Sequence, residues 1–299
     1  MPTQGVTNAA NAIVNKINNR ISSHNSDSNA HQDIRAKLPS YGSFIELQTL
    51  IYNTAVNGTL ILKKDYKNTG TEEYITIPHS ITIIGNGHTI DADSHNKIIT
   101  IDDSNVESNF HNIIFLNGIC EEENGGAIYS NGDLGVFNCS FINCRGWYNG
   151  GAISGDDVII KDSIFINCTA SDGDGFGDGG AVCSYDGEIQ DCLFINNHAD
   201  SNGGAVYLVS PTKHIKDSLF LNNTALNEGG GVHSANLNNL YEVYNCTFDQ
   251  ISTLYNTVNV GYIQIADNLT TDDATKALSA KQGKVLNDLI GDAIEYINQ

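Results

Sequence analysis

The chain has 299 residues and a formal net charge of −20, with 15 Lys and Arg against 35 Asp and Glu. Such an acidic surface is a poor partner for nucleic acid or an anionic membrane, and no apolar run is long enough for membrane insertion. Abundant Asn (37) and Gly (29) with only 4 Pro favour a β-rich fold with many tight corners. Seven Cys without CxxC spacing favour buried thiols over a disulfide framework.

The first 40 residues differ in composition from the rest of the chain. Val6, Ala10, Ile13 and Ile17 follow the spacing of a coiled-coil seam over about two heptads. We therefore predict that residues 1–40 form a helical or coiled-coil segment for attachment or oligomerisation. The apolar core of a secretory signal peptide is missing near the start, so we expect synthesis without a signal peptide.

A capping helix and a short strand are predicted directly after residue 40. Residues 44–51 have helical spacing and would cover the open end of a stack of strands. Residues 58–62 then form a short apolar run that begins at a Gly, which is typical of a β-strand.

Two interleaved motifs repeat through the central part of the chain. The first is Gly-Gly-Ala followed by Ile or Val. Its first glycine recurs about every 26 residues, at Gly125, Gly150, Gly179, Gly203 and, in a degenerate copy, Gly229. A unit of this length cannot bury its own apolar face, so successive units must stack. The repeat predicts an all-β solenoid in which equivalent residues form columns.

The second motif places a Phe two residues before an Asn in each repeat. Stacking would turn the phenylalanines into an internal aromatic ladder and the asparagines into an amide ladder at a corner. The ladder residues are Phe115, Phe141, Phe165, Phe194 and Phe220, with Asn117, Asn143, Asn167, Asn196 and Asn222. Apolar residues between each Phe and Asn should point outward as an exposed stripe, which suits an interface between solenoids or a surface covered by a loop.

These motifs resemble the right-handed parallel β-helices of the pectate-lyase-like superfamily. The Gly-Gly-Ala and Phe-x-Asn signatures look most like adhesin-like surface proteins of methanogenic archaea, and they are also similar to chlamydial polymorphic outer-membrane proteins. The resemblance covers residues 41–262 and implies a right-handed parallel β-helix with short helical segments at its two ends. It carries little information on function, because one fold supports many activities.

The C-terminal residues 263–299 resemble a different class of protein. Leu278, Val285, Leu286 and Ile290 belong to a broad apolar stripe of helical spacing that needs a partner surface. The pattern LTTxDATKALSAKQGKVLN closely resembles a linker of bacteriophage tail-fibre and baseplate proteins. The pattern HNxxxxAHxDIR near the N-terminus resembles another tail-fibre element.

Catalysis must be considered because many parallel β-helices cleave polysaccharides. Asp156 and Asp157 are similar to an acid pair of polygalacturonases, but the Gly-His-Gly and Arg-Ile-Lys elements of that family are missing. Adjacent acids on a turn are usually solvated, so the chain is expected not to be an enzyme. If it is one, it is a polysaccharide lyase or a glycoside hydrolase.

Two further groups of residues are candidates for ligand binding. Asp172, Asp174 and Asp178 follow the oxygen-ligand spacing of a Ca²⁺ loop, although the loop lacks the Glu that would complete an EF-hand. A flexible acidic loop is the simpler interpretation, so we expect no cofactor, with Ca²⁺ as the alternative. The aromatic residues Trp147, Tyr148 and Tyr185 are candidates for stacking on sugar rings from outer loops.

The resemblances together predict a viral tail-fibre or tail-tip structural protein. Such a protein would be a non-enzymatic homotrimer that contacts other virion tail proteins and binds a glycan or protein of the host cell surface. It would act on the virion, outside the cell. The alternatives are a tailspike-type polysaccharide depolymerase and a cellular adhesin-like surface protein.

Overall fold

The computed structural model describes residues 41–209, 214–235, 241–244, 246–248, 253–255 and 257–260. All of them lie in one compact unit, Ser40–Tyr262. The segments predicted for residues 1–40 and 263–299 lie outside the described residues. No helix in the described part of the chain has the length and apolar character needed to cross a bilayer.

The described elements are one helix and 27 short strands. Helix α1 spans Phe44–Asn53. The first strands are β1 (Gly58–Ile61), β2 (Tyr66–Lys67), β3 (Ile75–Thr76), β4 (Ile81–Ile84), β5 (Thr89–Asp91), β6 (Ile99–Ile101), β7 (Ser108–His111), β8 (Ile114–Leu116) and β9 (Ile128–Ser130). The middle strands are β10 (Leu134–Phe137), β11 (Ser140–Ile142), β12 (Arg145–Gly146), β13 (Ile153–Lys161), β14 (Ile164–Ile166), β15 (Thr169–Ala170), β16 (Val182–Gln190), β17 (Leu193–Ile195) and β18 (His198–Ala199). The last strands are β19 (Val206–Leu208), β20 (Ile215–Lys216), β21 (Leu219–Leu221), β22 (Thr224–Ala225), β23 (Val232–Ser234), β24 (Tyr241–Tyr244), β25 (Thr247–Phe248), β26 (Leu254–Tyr255) and β27 (Thr257–Val260).

Parallel pairing between successive coils arranges these strands in three sheets. The phenylalanine sheet has eight strands in the order β2-β5-β8-β11-β14-β17-β21-β25, and the short sheet has four in the order β12-β15-β18-β22. The large sheet has 15 strands arranged in two walls. The nine-residue strands β13 and β16 belong to both walls: β13, for example, pairs with β9 through its first residues and with β10 through its last. The chain is a parallel β-solenoid of about seven turns that matches a right-handed β-helix, which confirms the predicted fold class.

The aromatic column occupies the centre of the phenylalanine sheet. Phe115, Phe141, Phe165, Phe194 and Phe220 are all fully buried. Consecutive rings stack with their centroids 4.7–4.9 Å apart and within 13° of parallel, and the column continues to Phe248. The ring spacing matches the distance between hydrogen-bonded strands, so one register sets both the backbone ladder and the ring stack.

Asn or Asp occupies both corners of the phenylalanine sheet because the backbone there has positive φ. The corner before six of its strands is formed by Asn86, Asn112, Asn138, Asp162, Asp191 and Asp217, with φ between 51° and 53°. The corner after it is formed by Asn117, Asn143, Asn167, Asn196 and Asn222, with φ between 53° and 55°. Asn and Asp adopt this left-handed conformation more readily than other residues with a side chain.

The asparagines of the second corner also bond to one another. The Nδ2 of Asn143 donates to Oδ1 of Asn117 over 3.5 Å, and Asn167 and Asn196 each donate to the preceding Asn over 3.3 Å. The chain of bonds begins where Asn117 donates to the carboxylate of Asp91 over 3.0 Å. Each amide therefore connects one coil to the coil before it.

All seven cysteines are free and buried, which confirms the prediction of buried thiols. Burial raises the pKa of Cys139 and Cys192 to about 12, so both stay protonated and unreactive at neutral pH. Ser163 and Ser218 alternate with Cys139 and Cys192 at equivalent positions of successive coils, where each serine hydroxyl makes a hydrogen bond that links two coils. Ser163 and Ser218 accept the backbone N–H of the cysteine one coil earlier.

The apolar stripe on the outer face of the phenylalanine sheet is less exposed than the sequence predicted. Leu116, Ile142, Ile166, Ile195 and Leu221 do alternate with the buried phenylalanines, but each is half-buried rather than exposed. Equivalent side chains of successive coils lie one strand spacing apart and cover one another. This surface therefore offers less apolar area to a partner than the sequence pattern predicted.

Helix α1 caps the N-terminal end of the core, as the sequence predicted. It buries Phe44, Leu47 and Ile51, and Ser43 accepts the backbone N–H of Glu46 as its N-cap. A second anchor is Glu72, a residue only 8% exposed, whose carboxylate accepts the N–H groups of Ile45 in the first turn and of Thr69. The acid thus binds the helix to the first coil and faces the positive end of the helix dipole.

Replacing Glu72 by Gln should destabilise this cap by about 1–3 kcal/mol at pH 7, because a charged acceptor of two N–H groups is lost. Burial alone would raise the pKa of Glu72, but the N–H donors of Ile45 and Thr69 outweigh burial and lower it. Stability from a lowered carboxyl pKa is present above the unfolded pKa and disappears as pH falls through the folded value. Urea unfolding from pH 7 to pH 3 should therefore show the difference between wild type and Glu72→Gln shrinking below about pH 4.

The exposed neighbour Glu73 provides the matched control. Glu73→Gln should leave stability within about 0.5 kcal/mol of wild type. An equal loss in both variants would show that the Glu72 hydrogen bonds do not stabilise the cap.

Candidate functional site

The two candidate catalytic acids lie in strand β13, where the chain passes from one wall of the large sheet to the other. Asp156 is exposed. Asp157 is half-buried and pairs in register with Asp186 of β16, so its neighbour is an acid of the next coil. We assign no catalytic role to either residue.

Two of the three aspartates of the acidic loop, Asp172 and Asp178, have different structural roles. Oδ1 of Asp172 accepts the backbone N–H groups of Asp174 and Phe176 over 2.8 and 3.1 Å, which closes the loop on itself. Oδ1 of Asp178 instead accepts the backbone and side-chain N–H groups of Asn202 in the next coil. In the part of the chain that the structure describes, no group of three or more His, Cys, Asp or Glu side chains could hold a metal ion.

The three candidate aromatic residues do not form one group. Tyr185 lies in β16 and is 57% exposed on the large sheet. Trp147 and Tyr148 follow β12 of the short sheet, and Tyr148 is 45% exposed. Phe176 and Leu226, both strongly exposed, lie on segments that follow β15 and β22 of the same sheet. The short sheet is therefore bordered by exposed apolar side chains.

A hydrogen-bonded group of polar side chains lies on the outward side of the short sheet. We call Arg145, Ser171, His198, Asp200 and Thr224 the short-sheet patch. His198 contacts Asp200 Oδ1 through Nε2 at 3.0 Å and Thr224 Oγ1 through Nδ1 at 2.8 Å. The Ser171 hydroxyl donates to the other oxygen of Asp200, and Arg145 Nη2 donates to the Ser171 carbonyl over 3.3 Å.

The network determines which ring nitrogen of His198 carries hydrogen. A carboxylate only accepts, so Nε2 must donate to Asp200. In the neutral ring Nδ1 then accepts the hydroxyl hydrogen of Thr224. Each side chain is held by a partner, so the patch presents a carboxylate, an imidazole, a guanidinium and two hydroxyls in fixed positions.

Register between coils assembles the patch. Arg145, Thr169, His198 and Thr224 pair in succession across β12, β15, β18 and β22. Ser171 and Asp200 lie two residues further along their coils and so on the same side of the sheet.

The sequence contained a signal for this group that a search for motifs alone missed. The first residue of each short strand follows the ladder Asn by two positions. These residues are Arg145, Thr169, His198 and Thr224, after Asn143, Asn167, Asn196 and Asn222. Aligning the repeats on the Asn would have shown a polar outward column. The contacts between side chains could not be read in this way.

Comparison with known proteins identifies two repeat types in the chain. The family model described as phage tail fiber repeats matches residues 265–297. The model described as the Chlamydia polymorphic membrane protein repeat matches residues 191–208 and 217–235, which contain two Phe-x-Asn motifs and two glycine motifs. No curated protein and no solved structure gives a match. These findings confirm the resemblance to tail-fibre and chlamydial repeats; the resemblance to methanogen adhesins and to the pectate-lyase-like superfamily stays a prediction.

Proposed function

We propose that this chain is a tail-fibre-type structural protein of a virus, which self-associates and presents its β-helix to the host cell surface. The observation that carries the proposal is the tail-fibre repeat match at residues 265–297, beyond a solenoid whose own repeats match a surface-protein type. Both repeat types are consistent with a fibre or adhesin-like surface protein. A homotrimer that also contacts other virion tail proteins is the assembly we propose.

The β-helix suits a protein that must be rigid and also variable at its surface. Strand pairing joins successive coils, the phenylalanine column joins them from Phe115 onward, and the asparagine ladder joins those from Asn117 to Asn196. Because these columns lie inside or at corners, outward residues such as those of the short sheet can change without loss of the fold. A recognition surface can therefore vary on a constant framework.

The proposed role is non-enzymatic and structural, and it differs from the depolymerase alternative in what the acids do. The proposed role uses neither candidate catalytic acid: Asp156 is exposed, and Asp157 pairs in register with Asp186 of the next coil. Cleavage of a bound polysaccharide, seen as release of new reducing ends, would overturn this part of the proposal.

Light scattering on the full chain tests self-association. We expect a mass three times that of the 32.2 kDa monomer. Changing Leu286 and Ile290 together to Asp should dissociate the trimer, because two carboxylates would enter the apolar stripe of the tail-fibre repeat and burying each costs several kcal/mol. The control is Lys284→Asp, which changes the net charge by the same two units at a polar position outside the stripe and should leave the mass unchanged. A monomeric wild-type chain at all concentrations would contradict the proposed fibre.

A further inference from the structure

We propose that the short-sheet patch is a binding site for an uncharged saccharide. This inference rests on the proposed function, because it names the surface of the β-helix that meets the host and the chemistry that this surface recognises. Four properties of the patch carry it: the fixed polar groups, the adjoining aromatic residues, the small area and the surrounding charge.

The polar groups of the patch match the chemistry of sugar hydroxyls. A hydroxyl both donates and accepts, so it can bond to a carboxylate such as Asp200 and to N–H donors such as those of Arg145. One N–H of Arg145 donates to the Ser171 carbonyl, and a guanidinium has five. The mutual hydrogen bonds of His198, Asp200 and Thr224 position these side chains before any ligand arrives. A site ordered in advance loses less conformational entropy on binding.

Aromatic side chains adjoin the polar groups on the same sheet. Trp147 directly follows Gly146, which pairs with Ala170, and Ser171 directly follows Ala170. Trp147 and Ser171 are therefore equivalent positions of successive coils. Tyr148 is the next residue and is exposed. A few placed polar groups beside aromatic surface are typical of small-ligand sites, and the flat C–H faces of sugar rings pack on aromatic rings.

The area of the short sheet favours a small ligand over a protein. Its four strands have two residues each. At about 4.8 Å between strands and about 3.3 Å per residue, the face measures on the order of 100 Å². A specific protein interface buries about 800 Å² on each partner. The strands of the short sheet alone thus cover much less than a protein interface and are of a size for a short stretch of sugar.

The charge around the patch favours an uncharged ligand. The acidic loop that begins after Ser171 carries Asp172 and Asp174, and the whole chain has a net charge of −20. This field repels anionic polymers. Arg145 and His198 do not reverse it, because the three neighbouring acids Asp172, Asp174 and Asp200 outnumber them. Neutral hexose polymers meet no such barrier.

The test is binding of the full chain to immobilised neutral polysaccharides, namely a glucan, a galactan and a mannan, with polygalacturonate as the anionic comparator. We expect binding to at least one neutral polymer and none to polygalacturonate. Trp147→Ala and Asp200→Ala should each weaken binding at least tenfold, which corresponds to about 1.4 kcal/mol. Asp200→Asn, which keeps the shape of the side chain, should also weaken it, and circular dichroism should show all variants folded.

Matched controls on other surfaces separate the patch from general effects. Tyr185→Ala removes an exposed aromatic residue of the large sheet, and Asp156→Ala removes an exposed acid of the same sheet; both should bind like wild type. Unchanged binding by folded Asp200→Asn and Trp147→Ala, or preferential binding of polygalacturonate, would overturn the inference. Failure of the chain to bind any neutral polymer would also overturn it. None of these results would affect the proposed fibre, which the trimer mass tests separately.

Discussion

Phe165→Ala will lower the free energy of unfolding by about 3–5 kcal/mol, because it removes a buried ring from the middle of the column. Phe165 is fully buried and lies 4.8 Å from Phe141 and 4.9 Å from Phe194, ring to ring. The cavity cannot close easily, because β14 is held by hydrogen bonds to β11 on one side and β17 on the other. Urea unfolding followed by far-UV circular dichroism measures the loss.

Phe176→Ala is the control for this prediction. Phe176 is 66% exposed on the acidic loop, so removing its ring creates no cavity. We expect a change within about 0.5 kcal/mol. If Phe165→Ala and Phe176→Ala were equally mild, the aromatic column would not be a main source of stability.

Gly180→Ala should lower the free energy of unfolding at least as much as Phe165→Ala does, by about 3 kcal/mol or more, because the added methyl group would clash with backbone atoms. A Cβ at Gly180 would lie 2.0 Å from the carbonyl oxygen of Gly204 and 2.5 Å from that of His198. Neither oxygen can move without separating two coils that are joined by several strand pairs. Thermal and urea unfolding should both show the loss, and the soluble yield should fall.

Gly173→Ala separates this steric effect from backbone strain. Gly173 has a φ of +84°, but nothing lies within 4 Å of the position that a Cβ would take. Alanine there costs only the strain of the left-handed conformation, about 1–2 kcal/mol. A Gly180→Ala variant as stable as Gly173→Ala would contradict the tight backbone contact between coils.

The two glycines of the repeated motif have different physical roles. The first, represented by Gly179, has a φ of +69° and turns the chain. The second, represented by Gly180, lies against the backbone of the next coil. The first glycine therefore forms a corner, and the second allows the backbones of two coils to approach closely. The alanine that follows fills a small buried position.

The repeat by itself determined the fold class and the residues of the inner columns, and helical spacing in residues 44–51 determined the capping helix. A stacked coil translates sequence period directly into spatial neighbours, so Phe141 and Phe165 could be placed together from their spacing alone. The preference of Asn for positive φ likewise identified the corner. Sequence patterns predict inner columns well because one residue type recurs at each position.

Only the tertiary structure decided the outward contacts, because those positions vary from coil to coil. The network of His198, Asp200 and Thr224 depends on side-chain geometry between two coils, which no spacing encodes. The different roles of Asp172 and Asp178 depend on which neighbouring N–H groups each carboxylate reaches. The partial burial of Ile142 and Ile166 depends on how much surface stacked neighbours cover. Periodicity sets which residues are adjacent, whereas distance and direction between unlike side chains arise only when the coils have stacked.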